Sequence, residues 1–134
     1  MASICREFLI EVAPENVWAA VRDVGALHWR LAKGFVVDTR LEDGARIVTF
    51  ANGLIARELI VDINDAARRL VWAAVGGRMT HHNASFQVFA EGGGASRAVW
   101  IADLLPHDLA GPIAAMIEEG CAAIKRTLEG EDER

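Results

Sequence analysis

The last helix-forming stretch constrains this chain most. Residues 107–129 read as one long amphipathic helix: Leu109, Ile113, Met116, Ile117, Gly120, Ile124 and Leu128 share a face at helical spacing. Glu118, Glu119, Lys125, Arg126 and Glu129 fall largely elsewhere. A stripe that broad has to be buried against another element. Nearly everything between residues 34 and 105 reads as short strands joined by tight turns, so the partner on offer is a sheet curving around the helix. Such an arrangement tends to enclose a cavity, which argues for binding a small apolar molecule.

The strands follow from turn signals. Asp43-Gly44 and Asn52-Gly53 are two-residue hairpin signals of the type I′ kind, which needs positive φ at both positions. Asn64-Asp65, Gly76-Gly77 and Gly92-Gly93-Gly94 mark three further turns. The expected strands are 34–42, 45–51, 54–63, 68–75, 80–90 and 96–104, an antiparallel meander. A first strand over 3–12 precedes them, with Ile4, Phe8, Ile10 and Val12 partly alternating with polar neighbours. Pro14 then opens a short helix with Val17, Trp18 and Val21 on its apolar side, ended by Gly25. Ala26–Leu31 reads as a second helical turn. Pro106 ends the last strand, and the long helix starts at Asp108 as N-cap or at Gly111 with Pro112 at the first helical position. The charged tail Glu131–Arg134 is expected to fray.

A length of 134 residues fits one domain, residues 1–134, with enough chain for a core without staples. The formal net charge of -5 disfavours nucleic acid, which needs a basic face to displace counterions. The opening residues carry Arg6 and Glu7 with no signal-peptide apolar region, and no run approaches the ~20 apolar residues of a membrane helix. The expectation is a cytoplasmic protein with no membrane span, in which Cys5 and Cys121 are reduced thiols and Cys121 serves packing.

The order of elements, together with Pro14-Glu15-Asn16-Val17-Trp18 followed by Trp29, Glu58-Leu59 with the acidic turn at Asp65, and Trp100 six residues before Pro106, resembles one superfamily along essentially the whole chain. It is the polyketide cyclase/dehydrase and lipid-transport superfamily (START-like, Bet v 1-like, SRPBCC). The resemblance implies an α+β helix-grip fold: a curved antiparallel seven-stranded sheet wrapped around a long C-terminal helix, with two short helices after the first strand. It does not imply one activity, since the superfamily spans cyclases, lipid carriers, hormone receptors and co-chaperones. Asn52-Gly53-Leu54-Ile55-Ala56 further resembles the gate loop of plant abscisic-acid receptors, with Ile55 where those carry proline. Continued through Glu58, Trp72, Gly76-Gly77 and Thr80-His81-His82, that likeness puts Val48, Phe50, Glu58, Trp72, Ala74, His82, Ala84 and Phe86 on the cavity face. Residues two apart on a strand share a face, consistent with this. On residues 54–63, however, the odd positions Ile55, Leu59, Val61 and Ile63 are the more apolar set, so the inward Glu58 rests on the resemblance.

Glu58 and His82 are then the sharpest pair. With strands about 4.8 Å apart and one strand between them, their backbones lie roughly 10 Å apart, within reach of a bridging ligand or water. Burial would push Glu58 toward its neutral form as a proton donor, with His82 as a base near neutral pH. That is equipment for an aldol-type cyclisation. The plain alternative is that the two orient a ligand by hydrogen bonds, or satisfy each other through water. His81-His82 point to opposite faces and do not share a metal, so no metal site and no cofactor are expected. Trp72, Phe86 and Trp100 form an apolar ligand wall or ordinary core. Counting back from Pro106 leaves Trp100 on either face, and an outward Trp100 would supply a homodimer patch. Ala56, Ala74, Ala84 and Gly120 would face the gap between sheet and helix, so either the helix approaches closely or a ligand has room. There is no nucleophile elbow, no phosphate loop and no tyrosine.

Three readings follow. The first is binding of a small hydrophobic or amphipathic molecule between sheet and helix, with Val48, Phe50, Trp72, Phe86, Ile113, Met116, Gly120 and Ile124 as walls and Glu58 and His82 fixing polar groups. The second is an aromatase/cyclase-like enzyme using that Glu58/His82 pair. The third is a co-chaperone-like module whose outer sheet face binds protein.

Overall fold

In the computed structural model, which describes residues 2–130, the chain runs β1 (Ser3–Ile10), α1 (Pro14–Arg22), a π-helical turn (Leu27–Leu31), β2 (Val36–Glu42), β3 (Ala45–Phe50), β4 (Ile55–Asn64), β5 (Arg69–Val75), β6 (His81–Gly92), β7 (Ala95–Leu105), a single 3₁₀ turn (His107–Leu109) and α2 (Ala110–Leu128). The strands form one sheet in the order β1-β7-β6-β5-β4-β3-β2, antiparallel throughout. Six strands form the expected meander, and β1 docks beside β7. The tail Glu131–Arg134 lies outside the described residues.

The sheet curves because its registers shift between Val36 and Asp38, Ile60 and Asp62, and Ala90 and Gly92. A bulge bends its strand and increases local twist. The shift in β4 also flips the parity of its side chains. Up to Ile60 the even residues Ala56 and Glu58 face inward. Ile55, Leu59 and Val61 are left on the outer face, 64%, 36% and 58% exposed. Beyond the bulge Ile63 pairs with the inward Leu70.

On the concave side α2 lays Ile117, Gly120, Ala123 and Ile124 against the sheet, while Ile113 and Met116 are half-buried. Helix α1 begins with Pro14 in its first turn, where the missing N–H is no loss, and buries Val17, Trp18, Ala20 and Val21. Complete burial of each valine contributes roughly 1.5–3 kcal/mol.

Two local expectations change. The N-cap of α2 is Leu109, with no side-chain cap, because the 3₁₀ turn leads into the helix. Asp108 therefore lies inside that turn, and Pro112 sits in the first turn of α2, where backbone N–H groups lack helical partners anyway. In the β2–β3 and β3–β4 turns only Gly44 and Gly53 take positive φ, +68° and +90°, so neither is type I′. In the second, the Asn52 side chain substitutes for that geometry by accepting the Leu54 N–H at 3.0 Å.

Candidate functional site: a cavity between sheet and helix

Between the concave face and α2 lies a cavity of about 120 Å³. Its floor comes from β3, β4, β5 and β6 with Val36 of β2 and Trp100 of β7, and its roof from Ile113, Met116, Ile117, Gly120 and Ile124 of α2. Leu27 and Leu31 of the π turn, Phe35, Leu54 and Met79 complete the wall. Phe35 and Phe50 meet edge to face, with centroids 5.3 Å apart. Among the described residues, the only charged or titratable side chains in this wall are Arg46, Glu58 and His82.

These three form one row across the sheet. Arg46 and Glu58 are cross-strand partners on β3 and β4, and Glu58 is paired with Ala74 on β5. The Arg46 Nε donates to Glu58 Oε1 at 2.8 Å, with the two side chains 4% and 10% exposed. The guanidinium also stands 5.4 Å from the Trp72 ring centroid, a cation–π contact that holds it against the floor. The Ala74 N–H donates to His82 Nδ1 at 3.0 Å. With Nδ1 occupied as an acceptor, the neutral ring carries its proton on Nε2. Burial lowers the His82 pKa below its ordinary value, and the nearby Glu58 charge only partly offsets this.

Glu58 is thus not the isolated buried carboxylate from which a neutral proton donor was expected. Its charge has a counter-ion within hydrogen-bonding distance. In His82 the Nδ1 lone pair that a base would use is engaged by the Ala74 N–H, which leaves Nε2 as the ring's donor.

The aromatic wall is continuous. Trp72 and Trp100 have centroids 5.9 Å apart, and Phe86 meets Trp100 edge to face at 6.0 Å. Trp100 faces inward, paired with Phe86 across β6 and β7, so it supplies no outer patch for a homodimer. Its ring reaches α2: a Cβ on Gly120 would lie 2.8 Å from Trp100 Cζ3 and 3.2 Å from Phe35 Cε2. At this position the helix approaches closely because glycine leaves room.

Of the residues expected to line a ligand site, the structure brings Phe50, Glu58, Trp72, His82, Phe86, Ile113, Met116, Gly120 and Ile124 to this cavity. Val48 is wholly buried, paired with Thr39 and Ala56, and belongs to the core without reaching the cavity. Ala56 and Ala74 are in the wall, whereas Ala84 is packed in the core. Arg46 was missed, although it shares strand parity with Val48 and Phe50, which was the available signal. His81 is exposed on the opposite face from His82. Among the described residues no group of three or more His, Cys, Asp or Glu side chains is placed to hold a metal ion, and no helix is long and apolar enough to cross a membrane.

The fold recurs in solved structures. An uncharacterised protein from Bacillus thuringiensis superposes with a TM-score of 0.85 at 16% identity, over 95% of this chain and 98% of that one. The di-domain ARO/CYC BexL from the BE-7585A biosynthetic pathway gives 0.82 at 12% identity, over 96% of this chain and 47% of that one. A START superfamily protein from Mycobacterium smegmatis gives 0.70 at 12% identity, over 98% and 97%. At these identities the likeness is one of fold. No curated protein matches the chain. The family model described as polyketide cyclase / dehydrase and lipid transport matches residues 1–130, and with its helix-grip architecture the chain belongs to that family.

Proposed function

We propose that this protein binds a small, mostly apolar molecule in the cavity between its sheet and α2. The observation that carries this reading is the composition of the wall: apolar and aromatic side chains throughout, interrupted by one row of polar groups, Arg46, Glu58 and His82. Ligand sites of this kind bind by apolar contact and orient by a few placed polar groups. The size of about 120 Å³ limits the occupant. An apolar cavity of about 150 Å³ takes a benzene ring, whereas drug-sized ligands need roughly 300 Å³ or more.

The cyclase-type reading is second. The observation favouring it is the Ala74 N–H bond to His82 Nδ1, which leaves an Nε2–H that would polarise a carbonyl in the cavity. In that version Glu58 holds Arg46 in place. The outer-face reading has the exposed Ile55, Leu59 and Val61 in its favour, but their rim shows no sign of a particular partner.

Native mass spectrometry on freshly purified protein tests the binding reading, with one-ring aromatic probes added to the same sample. A discrete added mass lost on denaturation, or saturable binding of a probe that quenches tryptophan fluorescence, is expected. A clean mass together with no probe binding up to millimolar concentration would overturn it.

A further inference from the structure

The cavity's charge balance, a donor oriented by the backbone and its end wall together define a ligand class, an argument that rests on the binding reading above. The first element is charge. Arg46 is the cavity's cation and Glu58 its anion, and they are paired at 2.8 Å. The cavity therefore has no uncompensated charge with which to hold an ionised ligand, and bringing one in would cost its desolvation.

The second element is the donor. Among the described residues His82 Nδ1 accepts the Ala74 N–H at 3.0 Å, which leaves Nε2 as the ring's donor. A ligand oxygen that accepts there satisfies it; a hydrocarbon of the same shape leaves it unpaired.

The third element is length. Trp100 is the single residue of β7 in the wall, and no residue of β1 reaches it. Its ring spans from the sheet to the backbone of α2 at Gly120. Behind it Phe8 of β1 packs on Phe86 with centroids 6.2 Å apart. Trp100 is thus a partition that ends the cavity before the β1 side of the sheet.

We propose that the cavity selects uncharged, one-ring-sized ligands bearing a hydrogen-bond acceptor, with His82 supplying the donor and Trp100 setting the size limit.

Four probes test this on the intact protein by calorimetry: acetophenone, cumene (near-isosteric, without the oxygen), benzoate (charged) and 2-acetylnaphthalene (one ring larger). The expected order is acetophenone tightest, cumene about tenfold weaker for want of the acceptor, and no measurable binding of the other two. Replacing His82→Phe should erase the preference for acetophenone over cumene, and Trp100→Ala should admit 2-acetylnaphthalene. Trp100→Leu is the second variant, and near-UV circular dichroism checks the fold of each. The wild-type panel decides the matter even where a variant folds poorly. Equal binding of acetophenone and cumene, tight binding of benzoate, or binding of 2-acetylnaphthalene by wild type would each overturn the proposal while leaving cavity binding intact. Binding of none of the four would overturn both.

Discussion

Arg46 and Glu58 lie directly opposite each other on β3 and β4, and their side chains meet in a buried ion pair of 2.8 Å at the polar end of the cavity. Removing two charges from water is costly, and their mutual attraction returns that cost only while both are present. The expected outcome is asymmetric. Arg46→Met or Glu58→Leu alone strands the partner and should lower unfolding free energy by about 3–5 kcal/mol. The double variant should be more stable than either single one. Urea denaturation of the four proteins closes the cycle, and additive losses would mean the pair is not coupled.

Gly120 and Trp100 make the second test. In an open helix Gly→Ala gains about 1 kcal/mol. Here the added Cβ would come within 2.8 Å of the Trp100 ring, so overpacking should outweigh that gain, at a cost of about 1–3 kcal/mol. Gly120→Ala should therefore lower the melting temperature, and adding Trp100→Leu should restore most of it. A stabilised Gly120→Ala protein would show that the ring does not press on the helix.

The element order was legible in the turn signals and the α2 stripe in its helical spacing, whereas the inward parity of β3, β5 and β6 came from the family resemblance, with which the residue spacing agrees. Three things were hidden, each for a local reason. On β4 the bulge after Ile60 put the more apolar residues, Ile55, Leu59 and Val61, outside, so hydrophobicity pointed the wrong way at Glu58. On β7 the inward neighbours of Trp100 are the fully buried Ala98 and Ala102, while the larger Val99 and Ile101 face out. Apart from Trp100 itself, that part of the inward face is carried by small residues, which inverts the usual contrast. Arg46 reads as surface until its partner is known, since a buried charge is legible only as a pair.

Asp65, in the turn after β4, ties that turn to α1: its Oδ1 accepts from Trp18 Nε1 and from Arg22 Nε, both at 2.8 Å. The Arg22 hydrogen bond foremost, then that of Trp18, lowers the carboxyl pKa below its ordinary 3.8. The linkage is that of a depressed acid: its contribution is complete above the unfolded value and is lost as pH falls through the lower folded one. Asp65→Asn should be less stable than wild type at pH 7, and the gap should narrow below about pH 4. Urea midpoints from pH 7 to pH 2 measure it; a constant gap would remove Asp65 from the acid limb.

His82 gives the last prediction, because its fixed tautomer and its burial make the same claim by two routes. Burial first, offset in part by Glu58, holds its pKa below the ordinary 6.5. Charging the ring would put a cation in the cavity without freeing a lone pair there, and Nδ1 would lose the Ala74 N–H as its donor. The folded protein therefore binds fewer protons than the unfolded chain just below pH 6.5, and stability should fall as pH drops from there through the folded value. His82→Gln should lack that slope. Nitrogen-15 spectra of the imidazole should show the proton on Nε2 at pH 7, with a titration midpoint below 6.5. A midpoint above it, or an Nδ1–H tautomer, would mean that the ring does not accept the Ala74 N–H, and the donor facing the cavity would be lost with it.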